Sequence, residues 1–386
     1  MIREAYDVVI VGGGPAGCQT ARNCAEEGLS VLLVEKDPDI GSPVRCAEGV
    51  GDAGLREFYE PDPSFTRQKI ARLQLVAPDL TRVDVTLDQP GWILDRKLFD
   101  RRVAEDAARA GAQIITNTLA TAVRRDGEFS VVTLNGCADV KAKVVVGADG
   151  TESRVGRWFG LRTFCKPRDM ETAGQYLAAG VDVEPDRMEM WFGNEFAPGG
   201  YFWVFPKGPD VANIGLGISG DLAAEHTAFY YLDRMMERHY PNASIIGRTM
   251  GGIACSGGVK QIVADGCVLV GDAAHHANPL TGGGIVNSLK AGRMAAPVIA
   301  QAIRNDDWTA KALRSYEKAW DAELGSLHRR FYKIKDALFH LPDDFFTNLA
   351  HSIVELPVEK RTIRSVLTRA VANRPQLVLE MARVIF

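Results

Sequence analysis

The stretch GSPVRCAEGVG, residues 41–51, sets Arg45, Cys46 and Glu48 in a glycine-rich loop with no apolar periodicity. A thiol of ordinary pKa, roughly 8.5, can donate a proton or shape the surroundings of a redox group. A small thiol can equally be a packing residue, and both readings of Cys46 stay open. Glu48 either orients Arg45 or is solvated. A second chemical signature precedes this loop. Gly12-Gly13-Gly14-Pro15-Ala16-Gly17 fits GxGxxG, and Glu35 follows about 20 residues later. In that pattern Gly12 makes the tight turn, Gly14 admits a pyrophosphate to the backbone and Gly17 lets a helix pack close to a strand. The free N–H groups at the helix start attract phosphate, and Glu35 accepts hydrogen bonds from ribose hydroxyls.

The elements around these residues are those such a site needs. YDVVIV is a continuous β-branched run, as a buried parallel strand requires. CQTARNCAEEGLS reads as a helix with Gly28 at its C-cap, and SVLLVEK as a second strand ending at Glu35. Two later runs, AKVVVGADG and GCVLVGD, are buried strands that end in Asp149-Gly150 and Gly271-Asp272. The second leads to Gly282-Gly283-Gly284 at the start of a long helix. An aspartate at a strand end, with a helix start beyond it, suits ribityl hydroxyls and a pyrophosphate. This late return to the nucleotide favours FAD over NAD. GxGxxG recurs at Gly215, Gly217 and Gly220, but no acid ends a second strand at the required distance. Gly215 and Gly217 are therefore read as alternate strand positions, bare so that something can approach the sheet. GGYFWVFPKG places Tyr201, Trp203 and Phe205 on one face of a strand. Aromatic rings beside a glycine-smoothed sheet suit a long apolar chain, with DRMEMWFGNEF adding adaptable methionines.

Bulk composition narrows the class. The 386 residues exceed one simple core, and a net charge of −4 gives no reason to expect nucleic acid. Charge is uneven, +3 from residue 301 onward and −7 before it. Seven cysteines without a CxxC pair argue against a zinc site and a disulfide framework and for a reducing cytoplasm. No metal site, signal peptide or transmembrane helix is expected. SLHRRFYKIKDALFHL and TIRSVLTRAVANRPQLVLEMARVIF read as amphipathic helices. They serve as core cover or dock at a membrane surface, with Arg329, Arg330, Lys333 and Lys335 facing lipid phosphates or water.

With these motifs together, the sequence resembles the p-hydroxybenzoate hydroxylase-like FAD superfamily and, within it, the geranylgeranyl reductase family, closest to its archaeal digeranylgeranylglycerophospholipid reductase branch. The resemblance runs from residue 5 to about 320 and rests on VGGGPAG, LLVEK, GSPVRCAEG, DRKLFD, GADG, YFWVFPKG with GLG, and GDAA…PLTGGGI. The RCAEG loop and the YxWxFP…GxG pairing are the specific parts. It implies FAD held by Ala16, Glu35, Arg96, Ala120, Asp272, Gly284 and Ile285, with Cys46, Ala47 and Gly49 along the flavin.

The expected architecture is α/β. A Rossmann-like FAD-binding domain (1–70, 95–165, 245–305) carries an inserted mixed β-sheet substrate domain (71–94, 166–244) and C-terminal helices (306–386). The expected activity is hydrogenation of isoprenoid C=C bonds in geranylgeranyl chains of archaeal membrane glycerophospholipids. Geranylgeranyl diphosphate and the chlorophyll tail are the next substrates. A flavin monooxygenase and a non-catalytic prenyl carrier are the rival functions. Electrons would come from a nicotinamide, a ferredoxin or a deazaflavin coenzyme. The expected setting is the cytoplasm, with peripheral contact at the inner face of the cell membrane.

Overall fold

Runs of β-branched residues that are apolar on both faces form strands only where both faces are covered. In the computed structural model, Ala5–Val11 lies between Val31–Val34 and Val140–Gly147 and runs parallel to both. Cys267–Leu269 extends the parallel array beyond Val140–Gly147, and Gln113–Ile115 extends it beyond Val31–Val34. The hairpin Ala120–Asp126 and Phe129–Leu134 joins along Val140–Gly147. Val8, Val9, Ile10, Val144, Val145 and Val146 are wholly buried. The helices Pro15–Glu26 and Ile285–Arg304 approach so closely that a Cβ on Gly292 would lie 2.8 Å from the Thr20 nitrogen. Past Glu26, Gly28 turns left-handed at φ +83° and the Leu29 N–H bonds to the Cys24 carbonyl, so a glycine closes this helix as expected. The structure describes residues 2–136, 139–339 and 341–372, with the side chains of 371 and 372 excepted.

The second sheet runs Ser244–Ala254, Met170–Ala179, Val211–Ser219, Tyr201–Pro206, Arg187–Trp191, Thr66–Val76, Arg82–Leu94, Gly49–Gly51. Arg187–Trp191 and Thr66–Val76 are parallel while the other pairs are antiparallel, which makes the sheet mixed. Period-two alternation gives it two different faces. Phe202, Val204, Ile214 and Leu216 pack on Leu232, Met235 and Met236 of the helix Ala228–His239. On the other face Trp203 and Phe205 pack with Ile70 and Ile93, flanked by Tyr201, Met188 and Met190. Beside them Leu73, Val83 and Val85 lie under Ala350 and Ile353 of the helix Asp343–Val354. Each such large side chain, fully buried, contributes about 1.5–3 kcal/mol.

Two compact units result. One holds the chain up to Val44, Arg96–Cys165 and Ser256–Arg329; the other holds Arg45–Asp95, Lys166–Cys255 and the chain from Arg330. The expected boundaries differ in three places. Residues 45–70 belong to the second unit because Gly49–Gly51 and Thr66–Val76 hydrogen-bond to Arg82–Leu94. Ser244–Ala254 belongs there too, paired with Met170–Ala179. The region 306–386 is not a third part: Ala310–Trp320 joins the first unit and Asp343–Val354 the second. Strand pairing, rather than nearness along the chain, decides membership. The amphipathic segment expected over 362–386 is seen as the helix Ile363–Ala372, and its remainder lies outside the described residues. No described helix is long and apolar enough to cross a membrane.

Candidate functional site

In the first unit the glycine turn is closed by contacts that leave no room for side chains. A Cβ at Gly12, whose φ is +110°, would collide with the Ala148 carbonyl, and one at Gly17 with the Gly12 carbonyl. At Gly14 the same construction meets nothing within 4 Å. Gly14 starts the helix Pro15–Glu26 with no side-chain cap and no acid in the first turn. Its leading N–H groups are therefore available to an anion. Glu35 is half-buried, and its Oε2 accepts the Gly13 N–H at 2.6 Å while Oε1 accepts the Asp37 N–H at 2.9 Å. The carboxylate thus braces the turn and keeps lone pairs for a hydroxyl.

The later motif returns to this place. Gly271, at φ +62°, lies where a Cβ would be 2.7 Å from that of Ala16. The Gly284 position faces the Asp272 Oδ1 at 3.3 Å, and Gly284 begins the helix Ile285–Arg304, again uncapped and without an acid in its first turn. Burial away from water pushes the Asp272 carboxyl above its usual range, and nearby Arg96 pulls it the other way. Arg96 forks onto Asp100 at 2.8 and 2.9 Å. Ala120 is buried at the head of its strand, and the preceding Thr118 N–H bonds to the Glu35 carbonyl at 2.8 Å. Ala16, Glu35, Arg96, Ala120, Asp272, Gly284 and Ile285 therefore all lie in the first unit. Asp149 accepts from Ser153 Oγ, the Arg154 N–H and the Val155 N–H, and so caps a short helix. His276 stacks on Trp320 at 3.5 Å, and burial holds its imidazole well below the usual range.

The opening loop is fixed in the second unit by partners distant in sequence. Glu48 is 2% exposed, and its Oε2 accepts from Lys207 Nζ at 2.5 Å and Asn213 Nδ2 at 2.6 Å. This overturns both expectations for Glu48: it neither orients Arg45, which is exposed, nor is solvated. A buried carboxylate needs a cation and a donor, and with Arg45 turned out to solvent both come from the second unit's strands. Glu48 sits at φ +73°, a costly conformation for a side-chain-bearing residue, held here by that anchor. The Cys46 carbonyl accepts from Gln175 Nε2 at 3.0 Å, and Gln175 Oε1 accepts from Trp203 Nε1 at 3.0 Å. Half-buried Cys46 is thereby tied to the aromatic strand, while the Glu48 N–H points to its sulfur at 3.1 Å. Gly49 lies under Phe205, whose ring would be 3.1 Å from a Cβ there.

Tyr201, Trp203 and Phe205 share one face, as expected, opposite Gly217, Gly215 and Asn213 in register. Val211–Ser219 is a strand, so its glycines are sheet positions. Their purpose differs from the expectation of an open approach. A Cβ at Gly215 would be 2.6 Å from both the Trp203 ring and the Gly174 carbonyl oxygen, so this glycine makes room for the indole and for the neighbouring strand. Gly217 faces the carboxyl of Glu171 at 3.8 Å. Glu171 itself was not singled out from the sequence. The only signal for it is an acid in period two with Ala173 and Gln175 on a strand beside bare glycines. Lys335 is not a solvated or lipid-facing cation. It is 2% exposed, donates to the Cys255 carbonyl at 2.9 Å and pairs with Asp169 at 3.6 Å. Arg329 pairs with Asp321.

The family profile of the geranylgeranyl reductase catalytic domain matches residues 169–253, and that of lycopene cyclase protein matches residues 7–187. A digeranylgeranylglycerophospholipid reductase of Methanothrix thermoacetophila is 40% identical, over 98% of this chain and 99% of its own. A solved geranylgeranyl bacteriochlorophyll reductase-like protein of Thermoplasma acidophilum is 34% identical with a TM-score of 0.92, covering 99% of this chain and 100% of its own. A flavin-dependent brominase, 21% identical over 98% of each chain at a TM-score of 0.71, shares the fold.

Proposed function

The chain belongs to the digeranylgeranylglycerophospholipid reductase family, and we propose that it hydrogenates C=C bonds in the geranylgeranyl chains of archaeal membrane glycerophospholipids with FAD as its cofactor. The observation that carries this reading is the face bearing Tyr201, Trp203 and Phe205, with the Cys46 loop tied to it through Gln175. An isoprenoid offers nothing to hydrogen-bond, so only such an apolar, ring-lined surface can hold it.

Bound FAD supplies the hydride. Gly12, Gly14, Ala16, Gly17, Glu35, Arg96, Ala120, Asp272, Gly284 and Ile285 are assigned to holding it, a role supported by the two uncapped helix starts and the open position at Gly14. By the family pattern the backbone at Cys46, Ala47 and Gly49 contacts its ring. The chain must also exclude water and deliver a proton, because a trisubstituted alkene has no carbonyl to polarise. Contact with a bilayer at its cytoplasmic face belongs to the same reading, supported by exposed Ile245, Ile246 and Met250 on the strand Ser244–Ala254.

The test is an anaerobic incubation with unsaturated archaeal lipid and a nicotinamide, a ferredoxin or a deazaflavin coenzyme in turn. A product gain of about two mass units per double bond is expected. Turnover only with oxygen would mark a monooxygenase. A colourless protein that cannot be reconstituted with FAD would mark a carrier. Gain on geranylgeranyl diphosphate or a chlorophyll tail, but not on the lipid, would move the substrate.

A further inference from the structure

Hydrogenation of each C=C bond consumes a proton as well as a hydride, and the face just described holds a carboxyl group that packing alone does not explain. Glu171, on the strand Met170–Ala179, is 9% exposed, and its Oε2 makes no hydrogen bond among the described residues. The carboxyl lies over two glycines: a Cβ at Gly200 would be 3.2 Å from Oε2, and one at Gly217 3.8 Å. The close approach of Gly200 to the Gly217 carbonyl, 2.1 Å from where a Cβ would stand, keeps this position bare, and the carboxyl lies beside it. Gly217 pairs in register with both Tyr201 and Ala173, which puts Glu171 on the Tyr201 face. Tyr201 is half-buried, and Cys255, Glu171 and Cys46 are near enough to raise the pKa of its phenol.

The charged groups around Glu171 are engaged elsewhere. Lys335 is paired with Asp169, whose Oδ1 also accepts from the Tyr332 hydroxyl at 3.0 Å. Asp221 accepts from Ser219 Oγ at 2.6 Å, and Arg168 pairs with Asp336 at 2.7 Å. Burial, reinforced by Asp221 and Asp169 and opposed by Lys335, pushes the Glu171 carboxyl up to about 7. The same enclosure pushes the Tyr201 phenol well above its usual range, so that it keeps its proton.

We propose that Glu171 is the proton reservoir of this face, replacing through the Tyr201 hydroxyl the proton that each hydrogenation consumes. This rests on the reductase reading. Reduced FAD, when bound, would supply the hydride and its electron pair to one alkene carbon. The other takes the phenolic proton as the π bond breaks. The phenol then recovers a proton from Glu171, which is left as a carboxylate and is reprotonated from solvent between turnovers. Glu171 acts through Tyr201 and is a positioning residue.

The experiment compares wild type, E171Q, E171D and Y201F. Infrared titration of the holoenzyme should show a protonated carboxyl that ionises near pH 7 and is missing in E171Q. Anaerobic lipid reduction by E171Q should fall at least about tenfold with FAD retained, and should lose the wild-type dependence on pH. E171D should recover part of the rate, and Y201F should fall with E171Q. E171D, which preserves the charge, keeps the test alive if E171Q fails to fold. A carboxyl ionised throughout, or an E171Q rate within about twofold of wild type across the pH profile, overturns the proposal while leaving the reductase intact. A wild type that holds FAD but reduces no lipid with any donor overturns both.

Discussion

Glycines mark both units, and they serve opposite ends. In the turn at Gly12–Gly17, backbone meets backbone: Gly12 against the Ala148 carbonyl and Gly17 against that of Gly12, with the position at Gly14 left open. In the sheet of the second unit the bare positions meet side chains as well as backbone: Gly215 lies against the Trp203 ring and the Gly174 carbonyl, and Gly200 against the Gly217 carbonyl with the Glu171 carboxyl beside it. The first pattern leaves one position open to approach from outside. The second seats residues that the chain needs in one place. A motif search sees the same letter in both, and only the occupant separates them.

The contrast is broken most severely by Gly17→Ala. Its Cβ would collide with a backbone oxygen that cannot move without opening the turn. FAD should no longer copurify, and the melting temperature should fall by the equivalent of about 3 kcal/mol or more. Lys207→Met removes the cation from buried Glu48. It should cost about 3–5 kcal/mol in urea unfolding and release the Cys46 loop, which a faster reaction of that thiol would report.

Glu171→Gln should have the opposite sign. The folded pKa is raised from 4.5 to about 7, so the native state holds a proton that the unfolded chain has lost between those values, and stability falls as pH rises through them. The glutamine variant should be more stable than wild type by about 3 kcal/mol above pH 7, with the gap closing below pH 4.5. Gly215→Ala would set a Cβ 2.6 Å from both the Trp203 indole and the Gly174 carbonyl on the neighbouring strand. It should cost about 1–3 kcal/mol and shift tryptophan fluorescence while FAD is retained. Gly14→Ala sharpens the distinction most finely. With nothing near its Cβ, stability should stay within about 0.5 kcal/mol, yet FAD titration should show affinity weakened about tenfold.

What could be read from the sequence follows the range of the interactions. The turn, the strand ending at Glu35 and the helix closed at Gly28 are local, and every element of that pattern stands where it was expected. The aromatic face was legible because period-two alternation is local as well. The anchor of Glu48 was not, since Lys207 and Asn213 lie more than 150 residues away. The same distance hid the occupants of the sheet glycines, whose spare volume shows in the sequence while its tenant does not. It also misplaced residues 45–70, which continue the first unit along the chain but hydrogen-bond into the second sheet.

Each unit is stitched from three separated stretches, the first completed only by Ser256–Arg329 and the second only by the chain from Arg330. A ribosome therefore releases most of the polypeptide before either half can close, although nearly all strands of the first sheet can pair once residue 147 is out. Neither unit can therefore be cut out of the gene as one continuous segment.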